Sequence, residues 1–316
     1  MTLLVGATAV TQIKPVIPRD FPDPAIIVSS GSYYAYSTGS GYENKFWHVP
    51  VQRSVELAGG WRTLGDAMPT LPDWVVRDGH GDGNITAPEV GAFGNGYVLY
   101  YVARSSSQNA QCIGTAVGSS PSGPFQPTQM PLICQPNFVD SIDPQVFTDD
   151  GGNRYLLYAS GQHQTTIWLQ QVTQDGLGVV GERRGLISAD RPDESNIVEA
   201  PALIRHGAQF VLFYSGNAYN SGKYFINYAT SPTLVGPYLK APGQFVNQNT
   251  LGGGYPNPGG QTVVGDSPAE LVFHATTGPG ARSMFVAGLS WDPAGHPIVD
   301  VNNGLTHRYS GLAGLF

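Results

Sequence analysis

Arg19-Asp-Phe-Pro-Asp23-Pro24-Ala-Ile-Ile-Val28, followed by Gly31-Ser-Tyr-Tyr-Ala-Tyr36, sets the pattern of the whole chain. An acid precedes a proline, an apolar run follows, and a glycine turn leads into an aromatic strand. The order returns as Ala87-Pro88-Glu-Val90 before Gly96-Tyr97-Val-Leu-Tyr100, and as Asp143-Pro144-Gln-Val-Phe147 before Tyr155-Leu-Leu-Tyr158. It returns again as Ala200-Pro201-Ala-Leu-Ile204 before Gln209-Phe210-Val-Leu-Phe213, and more loosely as Gly260-Gln261-Thr-Val-Val264 before Glu270-Leu-Val-Phe273. Positions 24, 88, 144, 201 and 261 lie 64, 56, 57 and 60 residues apart, and a nearly constant period with two strands at each head marks a repeat architecture.

Each unit carries further strand-like segments. Unit one continues through Trp47–Ser54 and Gly60–Gly65, and unit two through Gln111–Val117 and Ser120–Phe125. Unit three has Ile167–Val172, unit four Tyr224–Ala229 and Ser231–Tyr238, and unit five Ser283–Leu289. Four strands per unit and five units predict an all-β fold, a five-bladed β-propeller with four antiparallel strands per blade. A β-sandwich is the alternative, but it leaves five copies of one strand pair unexplained. No stretch shows the 3.6-residue period of an ordinary helix. Residues 1–16 read as an N-terminal segment, a signal-peptide remnant or a tag, and residues 17–316 as one propeller domain.

Composition narrows the partners. The chain has 316 residues, 41% of them hydrophobic and 12% charged, with a formal net charge of -7. That balance argues against a nucleic-acid backbone or an anionic membrane and favours a neutral or weakly polar ligand. No apolar run approaches the ~18 residues needed to span a bilayer. Gly 41 and Pro 25 fit many short strands and tight turns. The two cysteines, Cys112 and Cys134, are expected to form a disulfide, in keeping with a start (Leu3–Ala9) that looks like the tail of a secretory leader.

In a propeller the first strand of each blade lines the central axis, so heads far apart in sequence converge in space. Three heads carry a carboxylate: Asp23, Asp143 and, one residue before its alanine, Glu199. Paired carboxylates across a water-sized gap are what acid/base hydrolysis of a glycosidic bond requires, one ionised to activate water and one protonated to release the leaving oxygen. A third nearby raises the acid's pKa by like-charge repulsion. No G-x-S-x-G, H-E-x-x-H or P-loop competes, and the seven histidines show no ligand spacing. Strand-entry turns alone would account for either Asp-Pro pair, but not for the triple pattern.

Phe21-Pro-Asp23-Pro24, Ser141-Ile-Asp143-Pro144 and Ile197-Val-Glu199-Ala-Pro201 resemble the three catalytic motifs of glycoside hydrolase family 43, in order and at blade spacing, over residues 17–302. The resemblance implies inversion of configuration, with Asp23 as general base, Asp143 as the orienting and pKa-tuning carboxylate, and Glu199 as general acid. It implies plant cell-wall poly- or oligosaccharide as substrate, and within the family an exo-acting α-L-arabinofuranosidase, with β-xylosidase and endo-α-1,5-arabinanase as alternatives. From another class, a sugar-binding propeller without turnover is the rival, against which the three intact carboxylates speak.

Two heads depart from the family pattern. Thr86-Ala87-Pro88 stands where Trp-Ala-Pro is common, so Trp74 is expected to supply an aromatic platform from the preceding loop. Gln261 stands where an axial histidine, associated with a water or calcium cluster, is common; this argues against a structural calcium, and no cofactor or catalytic metal is expected. The loop Asp78-Gly-His80-Gly-Asp82-Gly83-Asn84 nearly fits an EF-hand spacing, but Pro88 and the strand after it exclude the exiting helix, so it is read as a border of the funnel. Asn84, Tyr219, Gln261 and Arg282 complete the expected sugar contacts. A secreted monomer is expected.

Overall fold

An apolar second strand in every repeat demands cover on both of its faces. The computed structural model, which describes residues 13–42, 44–78, 83–137, 139–265 and 268–301, shows how that cover is provided. Blade one holds β1 (Ala25–Ser29), β2 (Ser32–Tyr36), a small hairpin of β3 (Ser40–Tyr42) and β4 (Lys45–Trp47), then β5 (Pro50–Ser54) and β6 (Arg62–Asp66). Blade two holds β7 (Thr86–Phe93), β8 (Gly96–Arg104), β9 (Gln111–Gly118) and β10 (Gln126–Pro127). Blade three holds β11 (Ser141–Thr148), β12 (Arg154–Ser160), β13 (Thr166–Val172) and β14 (Val179–Ser188). Blade four holds β15 (Val198–His206), β16 (Gln209–Gly216), β17 (Phe225–Ser231) and β18 (Leu239–Lys240). Blade five holds β19 (Gly259–Val264), β20 (Ala269–Gly278), β21 (Ala281–Trp291) and β22 (Pro297–Asp300). Each blade is a four-stranded antiparallel sheet with its strands in chain order, so the five-bladed propeller is the fold.

The period-2 alternation of the second strands assigns each face to a neighbouring blade. On β8, Leu99, Tyr101 and Ala103 pack with Tyr36 and Val51 of blade one, whereas Val98, Tyr100 and Val102 pack with Leu156 and Tyr158 of blade three. On β16, Leu212 and Tyr214 face blade three, and Val211 and Phe213 face Phe273 and Phe285 of blade five. The gap between blades five and one is filled by Val272, Met284 and Val286 against Tyr33 and Ala35. Five cores, one per gap, therefore replace a single central core and leave the axis free for polar groups.

The ring is closed by the chain before β1. Val16 N–H donates to Met284 O (2.8 Å) and Phe21 N–H to Arg282 O (2.7 Å), along the part of β21 that β22 leaves uncovered. Ile13 is buried beside blade five. The boundary expected at residue 17 is thus too late; the segment from Ile13 belongs to the propeller, because β21 needs an edge partner. Two fourth strands also shift. Ser120–Phe125 and, once β17 has ended at Ser231, residues 232–238 are turns carrying cis Gly123–Pro124 and Gly236–Pro237, and the strands β10 and β18 follow them. Proline offers no N–H to a ladder. Cys112 and Cys134 are joined, fastening β9 to the loop beyond β10.

Candidate active site

The five heads share a backbone feature that composition does not disclose. Asp23, Ala87, Asp143, Ala200 and Gly260 all have positive φ, between 45° and 58°. Only one of the five is glycine; for the others this left-handed conformation costs of order 1 kcal/mol or more each. In blades two to five the ladder slips at this residue, as a β-bulge that lifts the head out of the pleat. All five heads line one axial cavity of about 40 Å³, enough for water.

A polar side chain from the preceding blade satisfies four of the five head amides. Asp23 N–H donates to His274 Nδ1 (3.0 Å), Ala87 N–H to Thr38 Oγ1 (2.9 Å), Ala200 N–H to Asp143 Oδ2 (2.9 Å) and Gly260 N–H to Ser215 Oγ (3.1 Å). This wiring separates two aspartates that occupy equivalent positions. Asp143 binds the next head directly, and so holds the residue that follows Glu199. Asp23 is spared that duty, because Thr38 stands between it and Ala87, donating its own proton to Asp23 Oδ2 (2.6 Å).

Burial works against ionisation of Asp23, but it is outweighed. Arg282 Nη1 lies 3.1 Å from Oδ1, and the Thr38 hydroxyl donates to Oδ2, holding the carboxyl well below the usual carboxylate range. The side chain keeps 22% of its surface exposed, as a group that must reach a water requires. His274 accepts the Asp23 amide at Nδ1, so its neutral ring carries the proton on Nε2; burial, then the nearby Arg282 charge, lowers its pKa to match.

Glu199 is the opposite case. Burial raises its pKa to about 7; the Tyr224 hydroxyl, donating to Oε1 at 2.8 Å, pulls the other way, and the Asp23 charge adds to the rise. Burial, followed by the Glu199 and Asp23 charges, also pushes Asp143 up, against the Ala200 amide. Asp143 and Glu199 thus titrate as a pair that keeps a proton near neutral pH. The three carboxylates belong to one network: Tyr224 stacks on His274 (6.0 Å, 11°), which joins Glu199 to Asp23. Gly259 and Gly260 make room for it. A Cβ on Gly260 would lie 2.5 Å from His274 Nδ1 and 2.9 Å from Asp23 Oδ1, and one on Gly259 would overlap the Tyr224 ring.

Of the other expected contacts, Arg282 pairs with Asp23, its guanidinium 4.8 Å above the ring of Tyr219, which is half exposed. Asn84 is exposed and lines a side cavity of about 400 Å³ with Phe46 and Arg77. Trp74 is not a platform: it is buried in the core between blades one and two, stacked on Tyr101 (6.0 Å), because Gly114 leaves a slot for its indole. Gln261 is not positioned as a sugar contact either. Its amide donates to Ala200 O and accepts from Ser215 Oγ (2.8 Å), strapping blade five to blade four. The Ser215 hydroxyl thus occupies one of the two lone pairs of the Gln261 amide oxygen. His80 and Asp82 lie outside the described residues.

Thr38, Ser215, Tyr224 and His274 were not singled out by the sequence reading. A signal existed for two of them: Thr38-Gly39, Ser160-Gly161 and Ser215-Gly216 all close the aromatic strand of a blade. Nothing local marks Tyr224 or His274.

Comparison with known proteins agrees with this geometry. The family model described as glycosyl hydrolases family 43 matches residues 13–297. An extracellular exo-α-(1→5)-L-arabinofuranosidase of Cellvibrio japonicus, ArbA, is 26% identical over 310 residues, covering 89% of this chain and 86% of its own. An extracellular endo-α-(1→5)-L-arabinanase of Bacillus subtilis is 27% identical over 287 residues, covering 85% and 84%. Among solved structures, a thermostable family-43 glycoside hydrolase superposes with a TM-score of 0.77 at 25% identity, over 92% of this chain and 96% of that one.

Proposed function

The chain belongs to glycosyl hydrolase family 43, and from that premise we propose that it hydrolyses α-L-arabinofuranosyl bonds of arabinan with inversion, releasing arabinose from chain ends. The observation that carries this reading is the opposed protonation of two carboxylates joined through the Tyr224–His274 stack. Asp23 is held ionised by Arg282 and Thr38, while Glu199 retains its proton to about pH 7. In this reading Asp23 takes a proton from a water on one face of the sugar as that water attacks the anomeric carbon. Glu199 gives its proton to the departing glycosidic oxygen, and Asp143 holds the Glu199 strand through the Ala200 amide.

Support for arabinan comes from the two relatives, both of which are named for α-(1→5)-L-arabinosyl linkages. The exo assignment follows the Cellvibrio japonicus relative, which is named for exo action. The Cys112–Cys134 bridge and the extracellular relatives support action outside the cell.

Digestion of linear arabinan, followed by product separation and proton NMR of the first-formed anomer, tests the reading. Arabinose alone, appearing first as the β-anomer, is expected; a ladder of oligosaccharides indicates endo action, and a first-formed α-anomer sinks inversion. Xylo-oligosaccharides in parallel test the alternative sugar. Asp23→Asn and Glu199→Gln should each lower kcat by ~10²-fold or more.

A further inference from the structure

Two consecutive residues just before β15, Ser195 and Asn196, stand in the left-handed region, with φ of 51° and 65°. Neither is glycine, and Ala200, on the far side of Glu199, has φ of 50°. Glu199 is thus flanked by residues whose backbone conformation costs free energy and persists only where the surroundings enforce it. Ahead of Glu199 the enforcement comes from a carboxylate that the catalytic reading leaves unused.

Glu194 ends the 3-10 turn Pro192–Glu194, and its side chain has no exposed surface. Both of its oxygens accept from Lys240 Nζ, at 2.7 and 2.8 Å. The Tyr214 hydroxyl donates to Oε1 (2.9 Å) and the Arg191 N–H to Oε2 (3.0 Å). Lys240 lies on β18, the outermost strand of blade four. Its ammonium also donates to Ser188 O (2.6 Å), at the end of β14 in blade three, and to Asp190 Oδ1 (2.7 Å). The pair therefore ties the outer edges of two blades to the turn between them.

From the turn the hold passes to Glu199 in two short steps. Glu194 O accepts from Ile197 N–H (2.9 Å) and from Asn217 N–H (3.0 Å), pinning the entry to β15 and the exit from β16 at one atom. Val198 and Glu199, which follow Ile197, pair with Gly216 and Ser215, which precede Asn217. Thr165, just before β13 of blade three, completes the clamp: its hydroxyl accepts from Val198 N–H (2.6 Å) and donates to Val198 O (2.8 Å). Desolvation offsets most of the attraction in a buried ion pair, so stability alone does not account for Glu194 and Lys240.

We propose that Glu194 and Lys240 are positioning residues for the proton donor, their ion pair holding the entry to Glu199 so that its carboxyl meets the departing glycosidic oxygen. The assignment rests on Glu199 being the acid. Neither residue lines the axial cavity, so their effect on turnover passes through the strand.

The test uses Glu194→Met/Lys240→Met, which removes both charges at similar volume and leaves neither buried alone. Its kcat/KM is measured on aryl glycosides of the pentose that the enzyme releases, one with a dinitrophenyl and one with a methylphenyl leaving group. Dinitrophenolate departs without a proton, whereas methylphenolate needs one. The double variant should lose ~10-fold or more on the methylphenyl glycoside, within the ~10²-fold cost of a misplacement near 1 Å, and little on the dinitrophenyl one. Equal loss on both, or loss on neither, overturns the proposal. Tyr214→Phe, which takes one hydroxyl from Glu194 and leaves the ion pair, should show the same selectivity more weakly. If the double variant does not fold, Tyr214→Phe decides, and a wild-type leaving-group dependence there overturns the proposal. Glu199→Gln in the same assay separates the positioning role from the reading beneath it. Selective loss in Glu199→Gln with none in the double variant refutes the positioning role alone; uniform loss in Glu199→Gln refutes the acid assignment, and the proposal with it.

Discussion

Tyr224→Phe isolates one contribution to the protonation of Glu199. The hydroxyl donates to Glu199 Oε1 at 2.8 Å, whereas the ring separately stacks on His274 and covers Gly259, so the substitution removes the hydrogen bond and leaves the packing. The bond favours the ionised carboxylate, and its loss must therefore raise the pKa of about 7 further. A hydrogen bond to a charged group contributes about 1.5–3 kcal/mol, and one pH unit corresponds to about 1.4 kcal/mol, so the alkaline limb should move up by roughly 1–2 units. The limb belongs to the Asp143–Glu199 pair, but the lost bond touches Glu199 only. The assay is kcat/KM against pH on an aryl arabinofuranoside with a poor leaving group, which needs the acid. Activity at the optimum should fall less than for Glu199→Gln. An alkaline limb that stays put, or moves towards acid, refutes the assignment of Glu199 as the proton donor.

Gly260→Ala should cost at least as much activity as losing a direct partner of Asp23, since a Cβ there pushes on His274 and Asp23 together; kcat, with folding checked by circular dichroism, reads it. Burial lifts Glu89, on the axial cavity, to about 8. Between the ordinary 4.5 and that value the folded chain binds the extra proton, so stability contributed at low pH is lost as pH rises towards 8. Glu89→Gln should flatten that decline, so that its melting temperature, compared with the wild type, gains from pH 5 to about pH 8 and levels off above it. Reducing the Cys112–Cys134 bridge, or Cys112→Ser/Cys134→Ser, should lower unfolding stability by roughly 3 kcal/mol in denaturant titrations, given the 22-residue separation it closes.

Much of the architecture was legible because it is written as repetition. The acid-proline heads announce blade number and order, and the aromatic second strands announce sheets covered on both faces. The misreadings have a common cause. Trp74 and Gln261 were judged by residue type and proximity to a head, but a tryptophan beside Gly114 finds a slot in the core, and an amide beside Ser215 finds both of its partners. Ser120–Phe125 and Ser231–Tyr238 looked like strands by composition, but turns form at their prolines.

The sequence by itself determined that Asp23, Asp143 and Glu199 meet, since a propeller sends the head of every blade to its axis. It did not determine their division of labour. Asp23 and Asp143 share the same motif and the same left-handed backbone; Thr38 stands beside one, and the Ala200 amide occupies the other. Asp23 has its amide held by His274 and its charge balanced by Arg282, 251 and 259 positions away, and Glu199 takes its counterweight from Tyr224. Protonation is a sum over everything within a few ångströms, and only the closed ring brings those terms together.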